Sequence, residues 1–253
     1  MTLFQSILLG VIQGLTEFLP VSSSGHLALV QSFIKDFKQP GLLFDVSLHV
    51  GTIFAVVIYF RKRIIEIFKN LKLLGLVLAS TAVTGVIGVA FKETFENMFS
   101  DIRLIGAAFV VTGIILLLAE RVKEGSKTEK EMSLPNALFV GLIQGVAIIP
   151  GISRSGSTIA GGLFAKLDRK FATEFSFLLS VPAVLGAAVL ESRHLTKSDM
   201  IGVNPVVYLA GIIAAAIVGF LCIKLLVNLI QKKKLYYFSI YLFLLGTTVL
   251  IFL

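Results

Sequence analysis

Charge is scarce in this sequence and cysteine almost absent: 15% of the 253 residues are Asp, Glu, Lys or Arg, and Cys222 is the only thiol. One cysteine excludes intrachain disulfides and Cys-based metal centres, and its place inside an apolar run marks it as a packing residue. So little charge, beside 56% hydrophobic residues and a mean hydropathy of +0.93, excludes an ordinary water-soluble domain. A basic leader ending in a small-residue cleavage site is also missing. Residues 2–18 carry Gln5, Gln13 and Glu17 instead, so the first apolar segment is expected to remain in the mature protein. The formal charge of +8 does not point to nucleic acid, because the Lys and Arg residues fall in short clusters between apolar runs. That is the positive-inside pattern of a membrane protein.

What is abundant is long apolar runs. Six of them, over 41–60, 73–91, 104–119, 171–190, 205–230 and 235–253, approach the roughly 20 residues of a bilayer crossing, and backbone satisfaction in lipid requires them to be helices. Two further regions, 3–33 and 134–163, are broken at the centre by Pro, Gly and clustered Ser, and read as re-entrant hairpins. The basic clusters Arg61 to Lys72, Arg121 to Lys130 and Lys232 to Lys234 share one side only if neither hairpin crosses. Lys166, Arg169 and Lys170 then fall on the same, cytoplasmic side. The loops at 92–102 and 191–204, and both termini, fall outside.

The hairpins also resemble each other. Gly10-Val-Ile-Gln13-Gly14 leading to Pro20-Val-Ser-Ser-Ser-Gly25 is matched by Gly141-Leu-Ile-Gln144-Gly145 leading to Pro150-Gly-Ile-Ser-Arg-Ser-Gly156. Each copy precedes three spans, an odd number, so the second half enters the membrane inverted. The expected fold is therefore an all-α membrane protein of six transmembrane helices and two re-entrant helical hairpins in an inverted-topology repeat. Its halves are 1–119 and 134–253, joined by a cytoplasmic loop at 120–133. Hairpins entering from opposite faces meet near the midplane, which makes a site of their tips. Close packing of Gly and Ser alone does not account for the charges there.

In the first tip, Gln13 and Glu17 lie one helical turn apart, the helix breaks at Pro20, and Ser22, Ser23 and Ser24 are placed to cap a helix starting near His26. Its free N–H groups make an anion site. In the second tip, Arg154 stands among Ser153, Ser155, Gly156 and Thr158. An Arg near the membrane centre costs roughly 2.5–3.5 kcal/mol and needs water or a partner; Glu17 is the obvious one, and the guanidinium fork suits phosphate oxygens. The pattern points to a phosphate-handling site with Glu17, Ser23, His26 and Arg154 as catalytic candidates. Ser22, Ser24, Gly25, Ser153, Ser155, Thr158 and Gln13 are the candidates for holding substrate. Ser23 attacking with His26 as base, and water activated by Glu17 or His26, both remain open. Oxygen donors from Glu17 and Gln13 suit a hard cation, Mg²⁺ or Ca²⁺, rather than zinc. Asp45 and His49 share a face and are placed to orient the site or bind a cation; Glu174 is expected to pair with Lys170 at the interface; Gln144 is a midplane hydrogen-bonder; His194 lies in a loop and carries no signal. A polyprenyl-phosphate transporter or flippase would use the same inverted repeat, and a membrane scaffold would use the Gly-rich faces.

The run Gln13-Gly-Leu-Thr-Glu17-Phe-Leu-Pro20-Val-Ser-Ser-Ser-Gly-His26, the run Pro150-Gly-Ile-Ser-Arg154-Ser-Gly-Ser-Thr158, and Glu174-Phe-Ser-Phe-Leu-Leu-Ser-Val-Pro182 together resemble the undecaprenyl-diphosphate phosphatase family, the membrane enzymes linked to bacitracin resistance. The resemblance covers essentially the whole chain. It implies hydrolysis of undecaprenyl diphosphate to undecaprenyl phosphate and inorganic phosphate, recycling the carrier for peptidoglycan synthesis. It also implies residence in the bacterial cytoplasmic membrane, a site open to the outer leaflet, membrane lipids as surroundings and a divalent cation. Its functional residues fall on Glu17, His26, the serines and Arg154. Members with two acids in the first motif have the earlier one where this chain has Gln13, so one carboxylate is missing here. A homodimer is compatible with the sequence.

Overall fold

The computed structural model of the chain describes residues 1–34, 37, 43–123, 125–192 and 203–253. His194 and most of the loop expected at 191–204 lie outside them, as does the start of the span expected at 41–60. Among the described residues the regular structure is helical, apart from one isolated bridge between Lys127 and Leu167. The first half contains α1 (Leu3–Phe18), α2 (Ser23–Phe33), α3 (Leu43–Tyr59), α4 (Arg61–Lys69), α5 (Leu71–Ala90), α6 (Lys92–Met98) and α7 (Ile102–Arg121). The second contains α8 (Leu134–Val146), α9 (Arg154–Phe164), α10 (Arg169–Ser192), α11 (Pro205–Gln231) and α12 (Tyr236–Phe252).

Helix limits follow local chemistry. Thr2 and Gln5 close a capping box on α1, Asn70 caps α5, Asp101 caps α7, and Asn204 caps α11 with Pro205 as its first residue. Four helices, α5, α7, α11 and α10 over Arg169–Leu190, are long and apolar enough to cross a membrane, and α3 with α4 makes a fifth if the bent pair is one span. The chain is a multi-pass membrane protein. α12 has 17 residues, about 26 Å of helix against a hydrocarbon core of about 30 Å, so the crossing expected at 235–253 is at the lower limit of length. One departure from the sequence reading is a bend of 76° between α3 and α4. Arg61, Lys62 and Arg63 follow Phe60 directly, and a run of three cations turns aside into a short amphipathic helix rather than prolong an apolar span.

The basic segments are tied by a polar network. Arg63 pairs with Glu129, with Glu66 and, at 3.5 Å, with Glu174; Asn70 also donates to Glu129. Glu174 thus takes Arg63 as its ion-pair partner, where sequence spacing had suggested Lys170. Nearby, the Thr128 N–H and hydroxyl donate to Glu131 and hold its carboxyl below the usual carboxylate range. Arg169 approaches Glu120 at 3.4 Å, and Glu120 also accepts from the Leu235 N–H.

The long helices approach through small residues. α1 packs along α11 and α8 along α5. A Cβ on Gly14 would stand 2.8 Å from the Ala215 carbonyl, and one on Gly141 2.6 Å from the Ser80 carbonyl. Hydroxyls fasten the same seams: Ser6 donates to the Val207 carbonyl at 2.5 Å, Ser80 to Ala137 at 2.7 Å and Thr84 to Gly141 at 3.0 Å. In lipid, with no hydrophobic drive between helices, close packing and such bonds hold the bundle. Gly14→Ala is expected to cost about 1–3 kcal/mol by overpacking and to lower the melting temperature in detergent. Gly75→Ala, where an added Cβ meets nothing within 4 Å, should be neutral or gain up to about 1 kcal/mol of helix propensity; equal effects of the two would refute the account.

Candidate active site

The two tips are built alike. Ser22 caps α2, its hydroxyl accepting from the Gly25 N–H at 3.4 Å and standing 3.3 Å from the Ser24 hydroxyl. Ser153 caps α9 in the same way, accepting from Gly156 at 3.1 Å with the Ser155 hydroxyl 3.3 Å off. Ser23 and Arg154 consequently occupy the same place, the first residue of each helix. The second tip turns at Gly151, whose φ of +91° belongs to the region that favours glycine. Thr112 of α7 fixes it, donating to the Gly151 carbonyl and accepting from the Ser153 N–H, both at 3.1 Å.

The tips touch. A Cβ on Gly25 would lie 2.9 Å from the Gly151 Cα, one on Gly156 would lie 3.0 Å from Pro20, and the Ser155 hydroxyl donates to the Leu19 carbonyl at 3.3 Å. At this junction Glu17, only 6% exposed, gathers the polar groups. Its Oε1 pairs with the Arg154 guanidinium. Its Oε2 accepts from the Ser23 hydroxyl at 2.5 Å and from the Gln13 amide at 3.0 Å, with His49 Nε2 at 3.4 Å. His49 is aimed by its other nitrogen, Nδ1, 2.8 Å from the Asp45 carbonyl, while the Asp45 carboxylate accepts from Gln31 at 2.7 Å. Asp45 and His49 do share a face toward the site.

A cavity of about 1010 Å³ opens from this junction. Glu17, Ser22, Ser23, Ser24, Ser153 and Arg154 line it at the junction with Asp45 and His49, and the rest of the wall is largely apolar or small, as at Leu27, Val89, Phe95 and Gly186, with Lys92 and Glu96 among it. Gln13, Gly25, Ser155 and Thr158, candidates from the sequence, are not on that lining. Thr158 is 1% exposed and bonded to the Arg154 carbonyl at 2.8 Å and to Ser176 at 2.6 Å; it supports α9 from behind. His26, expected to face the second tip beside Ser23, also lies off the cavity. Its Nδ1 is 2.7 Å from the Ser22 carbonyl and its Nε2 is 2.7 Å from the hydroxyl of Tyr241, on α12. Sequence reasoning missed Tyr241 and Thr112. Each lies inside an apolar run, and nothing in the spacing says which residue of another helix it meets.

The donor set for a hard cation is small. Among the described residues no group of three or more His, Cys, Asp or Glu side chains is placed to hold a metal ion. Gln13 Oε1, however, is buried without a hydrogen-bond partner among the described residues, and it belongs to the amide that bonds Glu17. Gln13 is 0% exposed and off the cavity lining, so of this pair Glu17 alone stands where a cation could also take oxygen ligands from water and phosphate, as Mg²⁺ does.

Known proteins match this chain over nearly its whole length. An undecaprenyl-diphosphatase of Carboxydothermus hydrogenoformans is 44% identical over 255 residues, covering 99% of this chain and 97% of its own. One of Treponema denticola is 44% identical over 262 residues, covering 97% and 96%, and one of Alkaliphilus metalliredigens is 41% identical over 272 residues, covering 100% and 99%. With residues 6–248 matched by the family model of the bacitracin resistance protein BacA as well, the chain belongs to the BacA family.

Proposed function

We infer that the chain is a membrane phosphatase that hydrolyses undecaprenyl diphosphate to undecaprenyl phosphate and inorganic phosphate, returning the lipid carrier to cell-wall synthesis and conferring bacitracin resistance. The observation that carries the reading is that Glu17 holds a serine hydroxyl on one oxygen and a guanidinium on the other, at the polar end of an apolar-walled cavity. A hydroxyl on a carboxylate beside a cation is what phosphoryl transfer to a nucleophile needs. A diphosphate head on a long apolar tail matches such a cavity, and the names of the relatives supply the lipid.

In the mechanism we favour, Arg154 and the N-terminal turns of α2 and α9 bind the phosphate oxygens. Ser23 Oγ attacks the terminal phosphorus while its proton passes to Glu17 Oε2. The bridging P–O bond breaks and undecaprenyl phosphate departs; water then attacks the phosphorus on Ser23, the P–Oγ bond breaks as Glu17 returns its proton to Ser23 Oγ, and the phosphoryl group leaves with both water protons as inorganic phosphate. Glu17 is preferred to His26 as the proton acceptor because Ser23 already donates to it. Glu17, with Gln13 bonded behind it, is the residue that would hold Mg²⁺ or Ca²⁺, which when bound would offset charge on the diphosphate. A transporter or flippase would have no use for a serine held on a carboxylate, and the relatives' names lend it no support.

We read the architecture as six crossings with two re-entrant hairpins in an inverted repeat of halves 1–119 and 134–253. Supporting it, α1 on α11 answers α8 on α5, and the Ser22 and Ser153 caps correspond residue for residue. We place both termini outside and the cavity toward the outer leaflet. The basic residues cluster at Arg61 to Lys72, at the start of α5, whereas Lys92 and Phe99 at its far end line the cavity.

Glu17→Gln should lower kcat for phosphate release from undecaprenyl diphosphate by roughly 10²–10⁴-fold, and Ser23→Ala at least as far, with phosphoryl label trapped on Ser23 in the wild type. Label absent and Ser23→Ala active would replace Ser23 by water. Chelation with EDTA should abolish release, and Mg²⁺ or Ca²⁺ should restore it. Purified protein that releases no phosphate under any cation would sink the enzyme reading.

A further inference from the structure

His26 sits one turn beyond Ser22, 8% exposed, and it is absent from the lining of the cavity that holds Glu17, Ser23 and Arg154. Both ring nitrogens are engaged. A carbonyl only accepts, so the Nδ1 that stands 2.7 Å from the Ser22 oxygen carries the hydrogen. Nε2, 2.7 Å from the Tyr241 hydroxyl, then receives that O–H. The two rings stack, centroids 5.8 Å apart and planes within 12°, and Phe109 closes the other side at 5.1 Å. These partners, a carbonyl, a phenol and a phenyl ring, offer no counter-charge, and among the described residues neither ring nitrogen is bonded to Glu17, Ser23 or Arg154.

What His26 does touch is a strained turn. Ser22 has φ 68°, in the left-handed region that a residue with a Cβ adopts only under constraint. Its carbonyl accepts from the His26 N–H at 3.2 Å and from Nδ1. The next residue is Ser23, a short side chain that reaches Glu17 only if the turn is exact to a fraction of an ångström. The second tip supplies the contrast. There the cap, Ser153, has an ordinary φ of −75°, and Ser157 replaces His26. The residue being aimed is Arg154, long enough to find Glu17 unaided.

We propose that His26 and Tyr241 are a positioning pair: the Tyr241 hydroxyl fixes His26 as the Nδ1–H tautomer, and that N–H pins the Ser22 carbonyl so that Ser23 is delivered to Glu17. The proposal rests on Ser23 being the nucleophile. It removes His26 from proton transfer and extends the site to α12, the last helix of the chain.

The test uses full-length protein in detergent, with His26→Asn, His26→Ala and Tyr241→Phe assayed for phosphate release. Asn places an amide N–H near the Nδ1 position, so His26→Asn should keep the pH profile and exceed His26→Ala, which should lose about 100-fold in kcat through misplacement of Ser23. Tyr241→Phe, one hydrogen bond fewer, should lose about tenfold in kcat with little change in KM. With ¹⁵N-labelled histidine, the His26 signal should be that of the Nδ1–H tautomer and should move toward a mixture in Tyr241→Phe. If His26→Asn is no better than His26→Ala, or loses a limb of the pH profile, His26 transfers protons and the proposal falls; a Tyr241→Phe protein with unchanged kcat and ¹⁵N signal also overturns it. The tautomer is read without substrate, so failure of the nucleophile reading, seen as an active Ser23→Ala, is distinguishable from failure of this one.

Discussion

The contact between Glu17 and Arg154 is the constraint on which the rest of the molecule depends. Two charges have been taken into an apolar bundle, where a lone carboxylate or guanidinium would cost several kcal/mol, and each is tolerable there only with the other. That requirement presses the two hairpin tips together until Gly25 meets Gly151 and Gly156 meets Pro20. The absence of side chains at those points is what lets the charges touch. The pair also divides the labour of the carboxylate: one oxygen faces the cation, and the other is left for the Ser23 hydroxyl.

The two tips share a frame and differ in chemistry. Caps, serine pairs and glycines correspond, although the backbone at the cap differs, left-handed at Ser22 and ordinary at Ser153. The residues that give the junction its polarity are not repeated: Ser23 answers Arg154, Glu17 answers Ile148, and His26 answers Ser157. One tip supplies hydroxyl and carboxylate, the other supplies the cation. A symmetric pair of either kind would place like charges or unpaired hydroxyls face to face in a buried place.

Much of this was legible from residue order, because helices in lipid leave little freedom. A serine cap on α2, the approach of the tips and the pairing of Glu17 with Arg154 all follow from broken helices and from the cost of isolated charge. What escaped was anything that depends on which face of one helix meets which face of another. Spacing places His26 near Ser23 along the chain, yet the ring turns to Tyr241, 215 residues away. Spacing likewise offered Lys170 to Glu174, when the bend after Tyr59 brings Arg63 closer. Thr158 is a serviceable phosphate ligand on paper; in the fold it is spent on Ser176 and the Arg154 carbonyl.

The packing of α1 against α11 has a consequence for how the protein is made. The glycine seam at Gly10 and Gly14 has its partner in Gly211 and Ala215, which leave the ribosome some two hundred residues later. Contacts so distant in sequence form late. Until then the hairpin of α1 and α2 carries Ser6 without the Val207 carbonyl and Glu17 without the Arg154 guanidinium, although Gln13 and Ser23 already bond to Glu17 within it. The α1–α11 seam therefore cannot close before α11 is in place, and α1 gains its full set of contacts only in the company of a helix two hundred residues away.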